Sequence, residues 1–171
     1  MLSEEKNRQL TQVGPGTPMG EVLRRHWHPI AGIDELERNA VKPVRLMGED
    51  LVLFKDLSGQ YGLVDRQCAH RRADLSYGFV EAHGIRCHYH GWQFDGAGQC
   101  RGIPALPGFT PPAGHRACTH EAREAYGLVW VRLAPGEQAL PVFAAEADER
   151  LRKVNCGPYL VNSSAPRVVE N

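Results

Sequence analysis

Two short strings hold the residues best suited to chemistry. One is Cys68-Ala69-His70; the other, sixteen residues on, is Cys87-His88-Tyr89-His90. Each half offers one thiolate and one imidazole, the ligands of a transition-metal site. A mixed set of two cysteines and two histidines suits a structural zinc ion or a binuclear iron–sulfur cluster. Zinc ribbons and fingers usually leave two to four residues between paired ligands, and the first pair here leaves one. Two loop tips carrying C-x-H and C-x2-H would place both sulfurs on one iron and both imidazoles on the other. Using His88 instead of His90 would break that pairing. Gly91 lets backbone approach the sulfurs and donate hydrogen bonds, and the Tyr89 phenol could donate to a sulfur or a ligand.

The rest of the polar inventory reads more plainly. Five cysteines, an odd number, with no secretory context, argue against a disulfide framework and for metal or catalytic use. Cys100, Cys118 and Cys156 read as reduced, semi-buried thiols. His26, His28, His83, His115 and His120 read as surface or capping residues. Arg71 and Arg72 read as a solvated pair, with Arg71 a candidate support for the site. Trp92 and Phe94 read as packing around the ligand loops. Lys plus Arg equals Asp plus Glu at 20 each, and the pI is about 7.1. No net basic field exists to hold nucleic acid or an anionic membrane. The N-terminus lacks the apolar core of a secretory signal, and no apolar run could span a bilayer, so the expected location is the cytoplasm.

The elements that must position these residues are mostly short strands. Residues 3–12 are polar and form either a short helix or a loose segment. Thr17 and Pro18 are a cap and first helical residue, and Met19, Val22, Leu23 and Trp27 predict the packing face of a helix over 18–27. Val44–Met47 and Leu51–Phe54 flank a Gly48-Glu49-Asp50 turn as a β-hairpin, and Tyr61–Val64 is a third strand. Gly84–Cys87, Trp92–Phe94 and Gln99–Ile103 are strand-like. Gly127–Leu133 is the strongest strand in the chain. Pro104, Pro107, Pro111 and Pro112 predict an extended surface loop over 104–114. A helix is expected from about Ala144 to Arg152, and the tail from Asn162 to Asn171 has no partner here. The pattern predicts a mainly β protein of short antiparallel strands with a cluster-binding subdomain, plus short N-terminal and C-terminal helices.

The string Cys68–Gly78 (CAHRRADLSYG), followed by Arg86–Asp95 (RCHYHGWQFD), resembles the Rieske [2Fe–2S] domain of ring-hydroxylating oxygenases. Leu10–Gly20 and Arg25–Ile30 resemble the phthalate-type oxygenase subunits in particular. The family often has Pro where Ala69 stands, Gly where Arg72 stands, and Pro or an apolar residue where His88 stands. None is a ligand position. Ala73 and Tyr89 occupy the places of the extra cysteine pair of respiratory Rieske proteins, which implies the oxygenase type and a potential toward the low end of about −150 to +300 mV.

The resemblance implies that Cys68, His70, Cys87 and His90 hold the cluster, with Arg71, Tyr89, Gly91 and Trp92 around them. It implies an N-terminal helical segment over 1–26, a Rieske domain over 27–134, and over 135–171 a linker leading to a catalytic domain. In that family a mononuclear Fe(II) on two histidines and a carboxylate performs the oxygenation. No His follows His120, and the sequence stops at Glu170-Asn171, where the iron-binding motif would open. The expectation is therefore an oxygenase subunit cut short, carrying only its electron-transfer half. The implied partners are an NAD(P)H-dependent reductase or ferredoxin as electron donor, the catalytic oxygenase domain as acceptor, and a homotrimer in the parent protein. The implied substrate class is aromatic carboxylates. The alternatives are a stand-alone Rieske ferredoxin and, further off, a structural zinc domain.

Overall fold

The computed structural model describes residues 2–152, 154 and 159–163. The chain opens with α1 (Glu4–Thr11), capped by the Ser3 hydroxyl, and α2 (Pro18–Leu23), capped by Thr17. β1 (His28–Gly32), α3 (Ile33–Arg38), β2 (Val41–Leu46), β3 (Glu49–Lys55) and β4 (Tyr61–Asp65) follow. A 3-10 turn (Leu75–Tyr77) leads to β5 (Phe79–Glu81), β6 (Gly84–Arg86), β7 (Gln93–Phe94) and β8 (Cys100–Gly102). β9 (Thr119–Ala125), β10 (Leu128–Arg132) and a 3-10 turn at Ala144–Ala147 complete the order.

All strand pairs are antiparallel and form two sheets. The base sheet has the order β1-β10-β9-β4-β3-β2 and the smaller sheet the order β5-β6-β7-β8. The mainly β prediction therefore holds, with the hairpin β2–β3 paired from Val41↔Phe54 to Leu46↔Glu49. The whole smaller sheet is inserted between β4 and β9. Its ends meet, because Asp65 N donates to Cys118 O at 2.9 Å and Val64 pairs with Thr119.

β3 explains how the two parts hold together. Its run Leu51-Val52-Leu53-Phe54 is buried throughout, as in a strand covered on both faces. Leu51 and Leu53 join Leu36, Leu63, Val129 and Val131 in one core. Val52 and Phe54 point the other way, joining Val64, Leu75, Ile85 and Phe94 beside Cys68 and Cys87. Gly62 makes room for the Phe54 ring, since a Cβ there would meet its Cζ at 2.3 Å. Truncating a fully buried ring of this kind costs about 3–5 kcal/mol.

Several elements differ from expectation. α2 stops at Leu23 instead of reaching Trp27, because the Arg24 carbonyl accepts tertiary hydrogen bonds from Leu133 N and Ala134 N at 3.1 and 2.9 Å. Val22 is exposed at 52%, so the anticipated apolar face is only partial. Trp27 packs separately, with Arg123 and Arg132 over its ring at 5.1 and 4.8 Å and its Nε1 donating to Gln138 O. The helix expected over 144–152 is a single 3-10 turn. β1, α3, β5 and β9 have no counterpart among the expected elements. His28 does cap, its Nε2 lying 2.8 Å from the Leu23 carbonyl. His120 is no surface residue. Its side chain is 9% exposed and its Nδ1 lies 2.9 Å from Leu133 O. Cys118 is exposed and Cys100 buried, while Cys156 and the tail beyond 163 lie outside the described residues. No helix among the described residues is long and apolar enough to cross a membrane.

Candidate metal centre

The two ligand strings fold into matched loops at one end of the smaller sheet. In the first, Cys68 N donates to Ala73 O at 2.8 Å and Arg72 N donates to Cys68 O at 2.8 Å. In the second, Cys87 N donates to Trp92 O at 2.8 Å and Gly91 N to Cys87 O at 3.0 Å. The register is the same in both, four and five residues beyond the cysteine. The fourth residue is left-handed in each, with φ 56° at Arg72 and φ 73° at Gly91. That explains why glycine suits the position of Arg72.

The loops bring the four predicted ligands together as two pairs. Cys68 and Cys87 are each 2% exposed and belong to one buried cluster. His70 and His90 are exposed, their ring centroids 4.9 Å apart and their planes at 64°. Among the described residues no three His, Cys, Asp or Glu side chains converge on one point, as a single ion would require. Two sulfurs together and two imidazoles together is the division a mixed-ligand binuclear cluster needs.

Burial, together with the neighbouring Cys87 sulfur, pushes the Cys68 thiol up to about 11. The backbone N–H groups of His70 and Arg71 act against this by donating to the Cys68 sulfur. They favour the thiolate that metal binding requires. Desolvation on the side of the ring that faces the protein holds His70 below the usual imidazole range, with His90 and Arg71 adding like charge. A neutral imidazole is the form that ligates a metal.

The surrounding predicted residues each have a place. Arg71 acts through its amide, and its side chain is exposed. Tyr89 lies over His90, centroids 3.7 Å apart and planes at 36°, and is 58% exposed. Its hydroxyl makes no hydrogen bond among the described residues, so the ring, not the phenol, makes its contact. Gly91 sits under Pro104, whose Cγ would be 2.7 Å from an added Cβ. Trp92 stacks flat on His70, centroids 4.5 Å apart and planes at 6°.

Three neighbours escaped the sequence reading. Asp74 accepts from Arg66 Nε and Nη2 at 2.8 and 2.6 Å and from Ser76 N at 2.8 Å. Arg66, with help from Ser76, holds the Asp74 carboxyl down at about 2. Pro104 closes the second loop. His115 stacks against Trp92, at 5.8 Å and 28°. His70, Trp92 and His115 line a cleft of about 300 Å³ with Ala69, Gly114 and Arg116. Only the local signals of the two ligand strings could be seen in sequence, because these partners come from distant segments.

Comparison with known proteins agrees. The family model of the Rieske [2Fe-2S] domain matches residues 26–112. The 5,5'-dehydrodivanillate O-demethylase oxygenase subunit of a Sphingobium species is 55% identical over 139 residues, covering 79% of this chain and 33% of that protein. The phthalate 4,5-dioxygenase oxygenase subunit of Pseudomonas putida is 40% identical over 152 residues, covering 86% and 34%. The solved structure of NdmA from Pseudomonas putida CBB5 superposes with a TM-score of 0.68 at 38% identity, over 77% of this chain and 42% of that one. The chain thus spans about a third of the length of the curated relatives it matches.

Proposed function

The chain belongs to the Rieske [2Fe–2S] domain family, with oxygenase subunits among its relatives, and from that premise we propose that it relays single electrons within a phthalate-type oxygenase. The observation that carries the reading is the division of the site into two buried sulfurs and two exposed imidazoles on loops of one register.

Cys68 and Cys87 would hold one iron and His70 and His90 the other. When bound, the cluster supplies reversible one-electron chemistry. The protein's part is to make that chemistry selective. The buried cysteines keep water from the sulfurs, and the amides of His70 and Arg71 stabilise negative charge there. Each imidazole would bind through one ring nitrogen and leave the other at the surface, able to hold a proton or meet a carboxylate of a partner. The donor would be an NAD(P)H-dependent reductase or a ferredoxin. The acceptor would be a mononuclear Fe(II) in a catalytic region outside these 171 residues, on a neighbouring subunit of a trimer. Both curated relatives named above carry aromatic carboxylates in their names, which makes that the proposed substrate class.

The test is direct. The purified chain should be coloured and contain two irons and two acid-labile sulfides per molecule, as a [2Fe–2S] cluster requires. A colourless protein with stoichiometric zinc overturns the reading. His90→Cys should keep iron yet lower the midpoint potential, because a thiolate replaces a neutral ligand.

A further inference from the structure

Among the described residues, the imidazoles of His70 and His90 lack one feature usual in metal-binding histidines. Such rings normally donate their second N–H to a carboxylate or carbonyl, which fixes their orientation. Among the described residues no protein group hydrogen-bonds either ring. His70 is instead flanked by the indole of Trp92, nearly parallel at 4.5 Å and 6°. Trp92 is pinned by its backbone to the second loop, where its carbonyl accepts from Cys87 N at 2.8 Å. Its ring therefore ties the second loop to the histidine of the first.

The indole also meets a third segment. His115 stands 5.8 Å from it at 28°. His115 is exposed, yet its backbone is held at both ends. Its N–H donates to Pro112 O at 2.9 Å, and its carbonyl accepts from Cys100 N at 3.0 Å. Two histidine rings from different segments thus meet one indole, each with its backbone anchored separately. His90 makes no such contact with the indole. It meets His70 edge-on and Tyr89 at its face.

We propose that His115 is a positioning residue which, by stacking on Trp92, fixes the ring plane of His70 and so distinguishes it from His90. The proposal rests on the ligand assignment above. Stacked aromatic pairs are favoured beyond the area they bury, which selects one ring orientation where no hydrogen bond does so.

In the metal-free chain, the His70 ring protons should show a ring-current shift from the indole in the nuclear magnetic resonance spectrum. His115→Ala should reduce that shift, and His115→Phe should restore it. In the cluster-loaded chain, His115→Ala should keep the parent's iron and sulfide content but move the midpoint potential and the visible circular dichroism. Trp92→Leu should move both further in the same direction, and the double variant should do no more than Trp92→Leu alone, as expected for residues acting in series. A His115→Ala variant with the parent's His70 shifts overturns the proposal, and so does one with the parent's potential. Fully additive effects overturn it too. If the parent chain binds no cluster, the ligand assignment fails instead, and the ring-current measurement still decides whether His115 acts on His70 through Trp92.

Discussion

In the loop from Cys68 the left-handed position is Arg72; in the loop from Cys87 it is Gly91. The hydrogen-bond register around them is the same, so one backbone has been reached with two different residues. The second loop uses the residue that adopts this conformation freely, and Pro104 then closes over the space a side chain would fill. The first loop accepts about 1 kcal/mol of strain at Arg72. It is braced from below instead, where Arg66 grips Asp74, Asp74 caps the Leu75–Tyr77 turn, and Gln67 bridges to Asp74. Conformational ease secures one loop and charge pairing the other. Shape is shared while vulnerability is not.

The largest expected effects treat the loops as equals. Cys68→Ala and Cys87→Ala should each abolish cluster retention, read as loss of iron, acid-labile sulfide and visible absorbance. Full retention in either variant would break the equivalence of the loops. Next come the left-handed positions, where the loops should part. Gly91→Ala should destabilise the fold by about 2 kcal/mol or more, from backbone strain plus the clash with Pro104. Arg72→Gly should change stability by less than about 1 kcal/mol, since relieved strain offsets added chain entropy. Denaturant midpoints decide this, and equal losses would refute the contrast.

A smaller effect concerns acid. The Asp74 carboxyl lies below its ordinary range, so its pairing contributes stability above about pH 4. That contribution should fade as pH falls toward 2. The pair is partly exposed, which limits it to about 1 kcal/mol. Asp74→Asn should therefore cost stability at pH 7 and markedly less at pH 2, measured on the metal-free chain. A cost independent of pH would assign Asp74 a purely steric part. Smallest of all, Arg71→Ala should leave cluster content unchanged, because the residue reaches the sulfur through its amide.

The sequence was readable where the causes are local. C-x-H and C-x2-H are spacings within single loops, and the apolar runs of β3 and β10 mark strands wherever they pack. β9 was opaque because Thr119–Ala125, read as THEAREA, is rich in helix formers and carries no buried stripe. It is a strand because β10 and β4 offer it pairing on both edges. α2 ended early for the same kind of reason, as a carbonyl was claimed from across the fold. Trp92 looked like packing in the sequence. Its face-to-face contact with His70 depends on a ring crossing from one loop to the other.

The meeting of Asp65 with Cys118 has an engineering consequence. The intervening segment leaves and re-enters the base sheet at neighbouring points, so it is in principle a portable cassette that any adjacent antiparallel strand pair could receive. Its portability has one limit. Val52, Phe54 and Val64 belong to the host strands but to the cassette's core, so a recipient scaffold must bring its own apolar footprint or the transplant will rest on bare backbone.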